Sequence, residues 1–328
     1  MPELRIDPLT GLRSIIAVDR AWRPGGGFEL QPPPRINPEE DPFLEGHEHC
    51  TPPELAAYGA APGRTPDGPG WKVRVVPNRY PALEPDTPEP GPTANPDLYV
   101  VLAARGAHEV VVNAPHAAST LAELEPDQLA LAMEAWRERM RAHAGEASCV
   151  HLLVNEGREG GASLPHTHAQ LYAMDFVPAA IARERERAAA YAVRTMGGTL
   201  LADLVQEEVR RRERIVAIDD EAVLFAPFAP RMPFQLTLAP RRARARYEDE
   251  GPTGAGLLHE GLNRLARHLG ASPPLNLWIR TAPRGAEHFC WRIDTLPRLS
   301  PLAGLELGTG IDLDTLAPEV AAAELRSA

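Results

Sequence analysis

One succession of elements can be traced twice along this chain, and that repetition constrains its fold more than any single motif. In the first pass a strand begins at Trp71–Val76, with apolar strand-like runs at Leu98–Leu102 and Glu109–Val112. The second run ends at Asn113-Ala114-Pro115-His116. A helix opening at Pro126, a residue suited to a first turn, sets Leu129, Met133, Trp136 and Met140 on one face and stops at Gly145. Strands over His151–Val154 and His166–Met174 close this half. The second pass has strands at Val223–Phe225 and Pro233–Leu238, then Ala239-Pro240-Arg241 echoing Ala114-Pro115-His116. Its helix carries Leu258, Leu262, Leu265 and Leu269 and stops at Gly270, before strands Leu275–Arg280 and Phe289–Leu296. Two coincidentally similar short domains would give the same string, but the order favours duplication. The expectation is an α+β fold of two tandem units, each an antiparallel sheet with packed helices, at residues 1–177 and 178–328.

The 328 residues suit two units of this size, and 44% hydrophobic content supplies their cores. A net charge of −11 argues against a nucleic-acid or anionic-membrane binder, which needs a basic face. The scattered Cys50, Cys149 and Cys290 do not read as a disulfide framework. With no signal-peptide pattern and no apolar run of membrane-spanning length, a cytoplasmic location is expected. Residues 24–70, rich in Pro and Gly, read as a long arm. Residues 178–214, dense in Arg, Glu and Ala, read as helical connectors with solvated faces.

The chemistry concentrates in Ser163-Leu164-Pro165-His166-Thr167-His168-Ala169-Gln170. On a strand His166, His168 and Gln170 share one face, where three polar groups are costly unless satisfied or used. The glycines of Asn155-Glu156-Gly157-Arg158-Glu159-Gly160-Gly161 let backbone N–H groups approach an anion. A neutral imidazole can attack a phosphorus atom and hold a nucleotide between two half-reactions. Gln170 can donate to a phosphate oxygen but cannot act as a general acid, which favours a leaving group that is already a stable anion. A histidine pair of this spacing can also be a surface pair or a metal site.

On these residues the chain resembles the galactose-1-phosphate uridylyltransferase family of the histidine-triad superfamily. The resemblance extends to Arg5–Gly11, Asp19–Pro24, Trp71–Leu83, Gly106–Val112 and Leu296 through Glu306. It implies histidine-triad-like units and a ping-pong uridylyltransferase, with UDP-glucose and a hexose 1-phosphate as substrates. It implies His168 as the nucleophile, with Gln170 and His166 beside it. It also implies Arg20, Arg23, Asn78, Arg79, Asn155, Ser163 and Glu306 as substrate contacts, the two arginines being supplied across a homodimer. An ADP-sugar or dinucleotide phosphorylase on the same fold is the alternative; a nucleotide-binding homologue without turnover is the second.

Two departures bear on this. Family members carry two cysteines that bind zinc with two histidines, where this chain has Asp41-Pro42-Phe43-Leu44. That leaves His116, His166 and Asp41, with His47, His49 and Cys50 nearby, against the four donors that structural zinc needs; the alternative is a metal-free, hydrogen-bonded cluster. In the second unit Cys290-Trp291-Arg292 stands where relatives have His-Trp-His, and Leu305 stands where an aromatic is common. Cys290 and Arg292 are expected to be the degenerate counterparts of His166 and His168.

Overall fold

The protein is described by a computed structural model covering residues 1–22, 30, 32–33, 35–95 and 97–328. Its strands are β1 (Glu3–Ile6), β2 (Arg13–Ile16), β3 (Ala56–Tyr58), β4 (Val73–Pro77) and β5 (Gly106–Val112), followed by helix α1 (Pro126–Ala144). Strands β6 (Cys149–Glu156) and β7 (His168–Met174) complete the first pass. Helices α2 (Ala179–Thr195) and α3 (Leu200–Arg211) form the charged connector. The second pass is β8 (Ile215–Ile218), β9 (Ala222–Phe225), β10 (Leu236–Pro240), α4 (Ala255–Leu269), β11 (Leu275–Arg280) and β12 (Arg292–Pro297). Helix α5 (Gly304–Thr309), β13 (Ile311–Asp314) and α6 (Pro318–Ser327) end the chain.

Ten strands form one sheet in the order β3-β4-β5-β7-β6-β11-β12-β10-β9-β8. Read outward from the β6–β11 pair the order is the same in both directions, which is the spatial form of the duplication seen in the sequence. Pairing throughout this sheet is antiparallel. Strands β1, β2 and β13 form a separate sheet tied to the second half, where the Ser14 hydroxyl donates to the carbonyl of Pro230 (2.5 Å).

Both core helices cover the same face of the large sheet. Leu129, Met133, Trp136 and Met140 of α1 are fully buried and pack with Val111, Leu152, Ala169 and Leu171. Leu258, Leu262 and Leu265 of α4 join the same core against Leu236, Leu238, Leu277 and Ile293. Truncating one of these fully buried leucines to alanine costs about 2–5 kcal/mol. Residues alternate along a strand, so the opposite face carries His168, Gln170 and Tyr172 of β7 and Val110 and His108 of β5. Among the described residues no helix is long and apolar enough to cross a membrane.

Several boundaries differ from the sequence expectation. Leu98–Leu102 is not a strand, and its five side chains are exposed. Apolar residues make a strand only where a ladder is open to them, and β4 spends its edge on β5, which reaches three residues further back than expected. Strand β7 begins at His168, not His166, because the Thr167 N–H donates to Ala118 and leaves the ladder. Strand β12 begins at Arg292 instead of Phe289. Part of the 24–70 arm lies outside the described residues; the rest contains β3 and a short 3₁₀ turn at Glu48–Cys50.

Candidate active site

The imidazole of His168 sits at the start of β7, 5% exposed, opposite Val112 of β5. Its Nδ1–H donates to the carbonyl oxygen of His166 (2.7 Å). That bond fixes the tautomer and leaves the Nε2 lone pair as the reactive one. Burial lowers the His168 pKa below the ordinary histidine value, outweighing the bond to the His166 carbonyl, which acts to raise it. The ring is therefore neutral at neutral pH, the state a nucleophile needs.

His166 lies two residues before the start of β7 and is held by contacts different from those of His168. Its ring is completely buried, with Nδ1 2.7 Å from Asp41 Oδ2 and Nε2 2.9 Å from the carbonyl oxygen of Ala114. Both nitrogens thus face oxygen atoms of the protein and not further nitrogen or sulfur donors. His116 is exposed. Among the described residues no group of three or more His, Cys, Asp or Glu is placed to hold a metal ion. The donors present do not fit the four-ligand zinc site that the resemblance implies. His47 Nδ1–H donates instead to the backbone oxygen of Asp41 (2.7 Å), and Cys50 Sγ lies 3.5 Å from His49 Nε2.

Segment 41–50 thereby forms a strap over the histidines. Asp41 Oδ1 accepts from the Phe43 N–H (3.0 Å), and the Glu45 N–H donates to Pro115 (2.9 Å). The Phe43 ring lies 5.1 Å from that of His168 and 6.1 Å from that of His166.

Gln170 follows on the same face as His168. The Ala82 N–H donates to His108 Nδ1 (3.1 Å), so His108 carries its proton on Nε2 and donates it to Gln170 Oε1 (3.0 Å). The Tyr172 hydroxyl donates to the same oxygen (3.1 Å). With Oε1 held by two donors, the amide NH₂ is the end left to meet a phosphate oxygen. The His108 and Tyr172 rings stack at 4.1 Å, and burial lowers the His108 pKa, which keeps that ring neutral. Neither residue was singled out from the sequence. The β5–β7 register, which pairs His108 with Tyr172 and Val110 with Gln170, is the signal that finds them.

Of the expected substrate contacts, Asn78 joins this cluster. Its Oδ1 accepts from the Tyr80 N–H (2.8 Å), and its amide nitrogen lies 3.1 Å from His108 Nε2. Arg79 is exposed at the end of the same segment. Asn155 Oδ1 accepts from Asn276 Nδ2 (2.8 Å), which also donates to the Gly160 carbonyl (2.6 Å) and so ties the glycine loop to the second half. A Cβ on Gly160 would meet the Glu156 oxygen at 2.2 Å and that of Leu275 at 2.6 Å, so only glycine fits. Ser163 is exposed on the loop before His166. Glu156 is wholly buried; burial pushes its pKa up to about 8 while it accepts from the Leu121 N–H (2.6 Å) and the Thr167 hydroxyl (3.3 Å).

The remaining contacts are elsewhere. Arg20 is exposed in the 3₁₀ turn Val18–Trp22, just beyond β2 and on the second-half side, and no hydrogen bond or ion pair joins it to the His168 cluster. Arg23 lies outside the described residues. Glu306 caps α5 by accepting from the Ala303 N–H (3.0 Å).

The second half has a different equivalence from the one expected. Aligning Ala114-Pro115 with Ala239-Pro240, the register puts His168 opposite Val112 and Asp294 opposite Thr237, the counterpart of Val112. Asp294 is thus the counterpart of His168 and Arg292 that of His166. The Arg292 guanidinium donates to Asp294 Oδ2 (2.8 Å) and Glu184 Oε2 (2.9 Å). Cys290 is a packed thiol, its pKa pushed up to about 11 by burial.

Known proteins resemble this chain along its whole length. Residues 1–178 match the family described as galactose-1-phosphate uridyl transferase, N-terminal domain, and residues 104–327 match a domain of unknown function (DUF4921). ADP-glucose phosphorylase of Arabidopsis thaliana is 29% identical over 339 residues, covering 99% of this chain and 92% of that protein. Galactose-1-phosphate uridylyltransferase of Rattus norvegicus is 31% identical over 212 residues, covering 63% of this chain and 55% of that protein. The crystal structure of an ADP-glucose phosphorylase from Arabidopsis thaliana with bound ADP-glucose matches with a TM-score of 0.81 at 26% identity, over 100% of this chain and 99% of that one.

Proposed function

Because the chain belongs to the galactose-1-phosphate uridylyltransferase family of nucleotidyltransferases, we propose that it moves a nucleotide from a nucleoside diphosphate sugar through a covalent intermediate on His168. His168 Nε2 attacks the α-phosphorus, a P–N bond forms, and the P–O bond to the sugar phosphate breaks. The sugar 1-phosphate leaves as an anion and needs no general acid, which suits an amide at position 170. An oxygen of the acceptor phosphate then attacks the same phosphorus and the P–N bond breaks. The Gln170 NH₂ donates to the phosphoryl oxygens in both steps. The observation that carries this reading is the 2.7 Å bond from His168 Nδ1, which leaves Nε2 free in a neutral ring.

We assign ADP-glucose as the donor and inorganic phosphate as the acceptor. The supporting observation is the end-to-end match to ADP-glucose phosphorylase, in sequence and in structure. The uridylyl reading, UDP-glucose with a hexose 1-phosphate, rests on the family match over residues 1–178 and on the rat enzyme. In either case residues 1–177 supply the nucleophile and 178–328 a unit whose own nucleophile is replaced. Arg20 and Arg23 complete the site across a homodimer, in the cytoplasm and without zinc. Intact-protein mass after mixing with ADP-glucose or UDP-glucose separates the readings. An AMP increment with ADP-glucose alone supports the assignment, and a UMP increment with UDP-glucose alone moves it to the uridylyl reaction. No increment with either substrate, in protein that binds both, reduces the chain to a nucleotide binder.

A further inference from the structure

We infer that the second half keeps a ligand site of its own, a cavity that takes a small phosphate-bearing anion without doing chemistry on it. The cavity, about 160 Å³, opens on the sheet face that carries His168 and lies over Asp294 and Trp278. By the equivalence above these are the counterparts of His168 and Asn155, so the cavity occupies in the second half the place of the nucleotidyl site in the first. The β1–β2 connection, the first turn of α2 and the loop before β10 wall it in.

The hydrogen bonds along the cavity wall set the sign of the ligand. The four carboxylates on the wall are engaged. Glu184 takes Arg280 on one oxygen (3.0 Å) and Arg292 on the other (2.9 Å). Asp294 takes Arg292 (2.8 Å) and the Thr237 hydroxyl (2.9 Å). Asp7 accepts from Leu9 N–H, Thr10 N–H and the Thr10 hydroxyl. Asp312 receives Arg231 Nε on both oxygens (3.4 and 3.2 Å). Donors, by contrast, are in surplus. Arg280 and Arg231 meet these acids through Nε, which leaves their terminal nitrogens to the cavity. Arg13 and Arg183 flank its mouth, exposed and with no ion pair among the described residues. The Trp278 ring lines the same cavity beside several guanidinium groups, so its fluorescence reports on what enters. Guanidinium recognises phosphate through paired N–H groups, so a phosphate monoester or free phosphate fits.

Titration with inorganic phosphate and, separately, with glucose 1-phosphate tests this, with tryptophan fluorescence as the readout. The expected result is a saturable change that vanishes in Trp278→Phe and whose midpoint rises roughly tenfold or more in Arg13→Glu/Arg183→Glu, since each lost charge-assisted contact is of that order. Both arginines are exposed and unpaired, so unchanged melting temperature serves as the folding control. Saturation by both probes identifies the phosphate group as the ligand, and saturation by the sugar phosphate alone identifies the monoester. No Trp278-dependent change with either probe, or the same midpoint in the double variant, overturns the inference. Because Trp278 reports on this cavity, loss of nucleotide transfer on His168 would leave the result intact, and the two readings fail separately.

Discussion

Removing the Asp41 carboxylate should loosen the protein and its nucleophile together. Asp41 and His166 are a buried pair, with side chains 2% and 0% exposed and 2.7 Å apart. Truncating Asp41 to alanine deletes that contact and the cap on the Phe43 N–H, and leaves His166 Nδ1 buried without an acceptor. Breaking one side of such a pair costs about 3–5 kcal/mol, a large share of the roughly 5–15 kcal/mol that holds a domain folded. Asp41→Asn keeps an acceptor of the same shape and exchanges a charge-assisted bond for a neutral one, so about 1–2 kcal/mol is expected. The His166 carbonyl that orients His168 belongs to the same residue, and the Phe43 ring rests on both histidines. Single-turnover nucleotidylation should therefore fall roughly tenfold to a hundredfold in the alanine variant, as a displaced nucleophile does, and less in the asparagine variant. Urea unfolding gives the stabilities, and quenched mass spectrometry gives the rate. Asp41→Ala within about 0.5 kcal/mol of wild type, the range of ordinary surface changes, would refute the pairing and the strap built on it.

Four further outcomes follow from the same geometry. Because burial lowers the His168 pKa, its nucleotidylation rate should stay level as pH falls through 6.5 and drop only below it; an acid limb centred at or above 6.5 would show an exposed ring. Gln170→Ala should slow single-turnover nucleotidylation roughly 10²–10³-fold, with Tyr172→Phe and His108→Ala showing smaller losses; equal losses in all three would contradict the orientation role. The folded-state pKa of Glu156 is raised from 4.5 to about 8, so its ionisation destabilises the fold as pH rises through that window. Glu156→Gln should thus melt near wild type below pH 4.5 and higher than wild type above pH 8, by scanning calorimetry. If Arg20 acts across a dimer, mixing inactive Arg20→Ala and His168→Ala proteins should restore about a quarter of wild-type turnover through mixed dimers; no recovery after subunit exchange would place Arg20 in its own subunit's site or outside both.

Much of the fold was legible because its signals are local. The spacing of Leu129, Met133, Trp136 and Met140 gives α1 its buried face without reference to anything distant, and Gly270, at φ +78, ends α4 where the pattern stops. The duplicated order needs only the succession of such elements. Strand limits were less legible, since they depend on which neighbour offers a ladder; the exposed Leu98–Leu102 run has strand-like composition and no partner strand. In the site, His168 and Gln170 were readable from one motif. Their supports were not, because Asp41 lies 125 residues from His166 and His108 lies 62 residues from Gln170. Alternation placed His166 beside the nucleophile, but its partners, Asp41 and the Ala114 carbonyl, come from distant segments. The pairing of Arg292 with Glu184 likewise joins positions 108 residues apart.

Isotope exchange between labelled glucose 1-phosphate and ADP-glucose, with enzyme alone and no acceptor phosphate, asks directly whether the nucleotide waits on the protein. A covalent carrier on Nε2 predicts that label enters ADP-glucose in wild type and not in His168→Ala. Exchange that requires added phosphate, or that survives in His168→Ala, would mean that the nucleotide passes between substrates without resting on this imidazole.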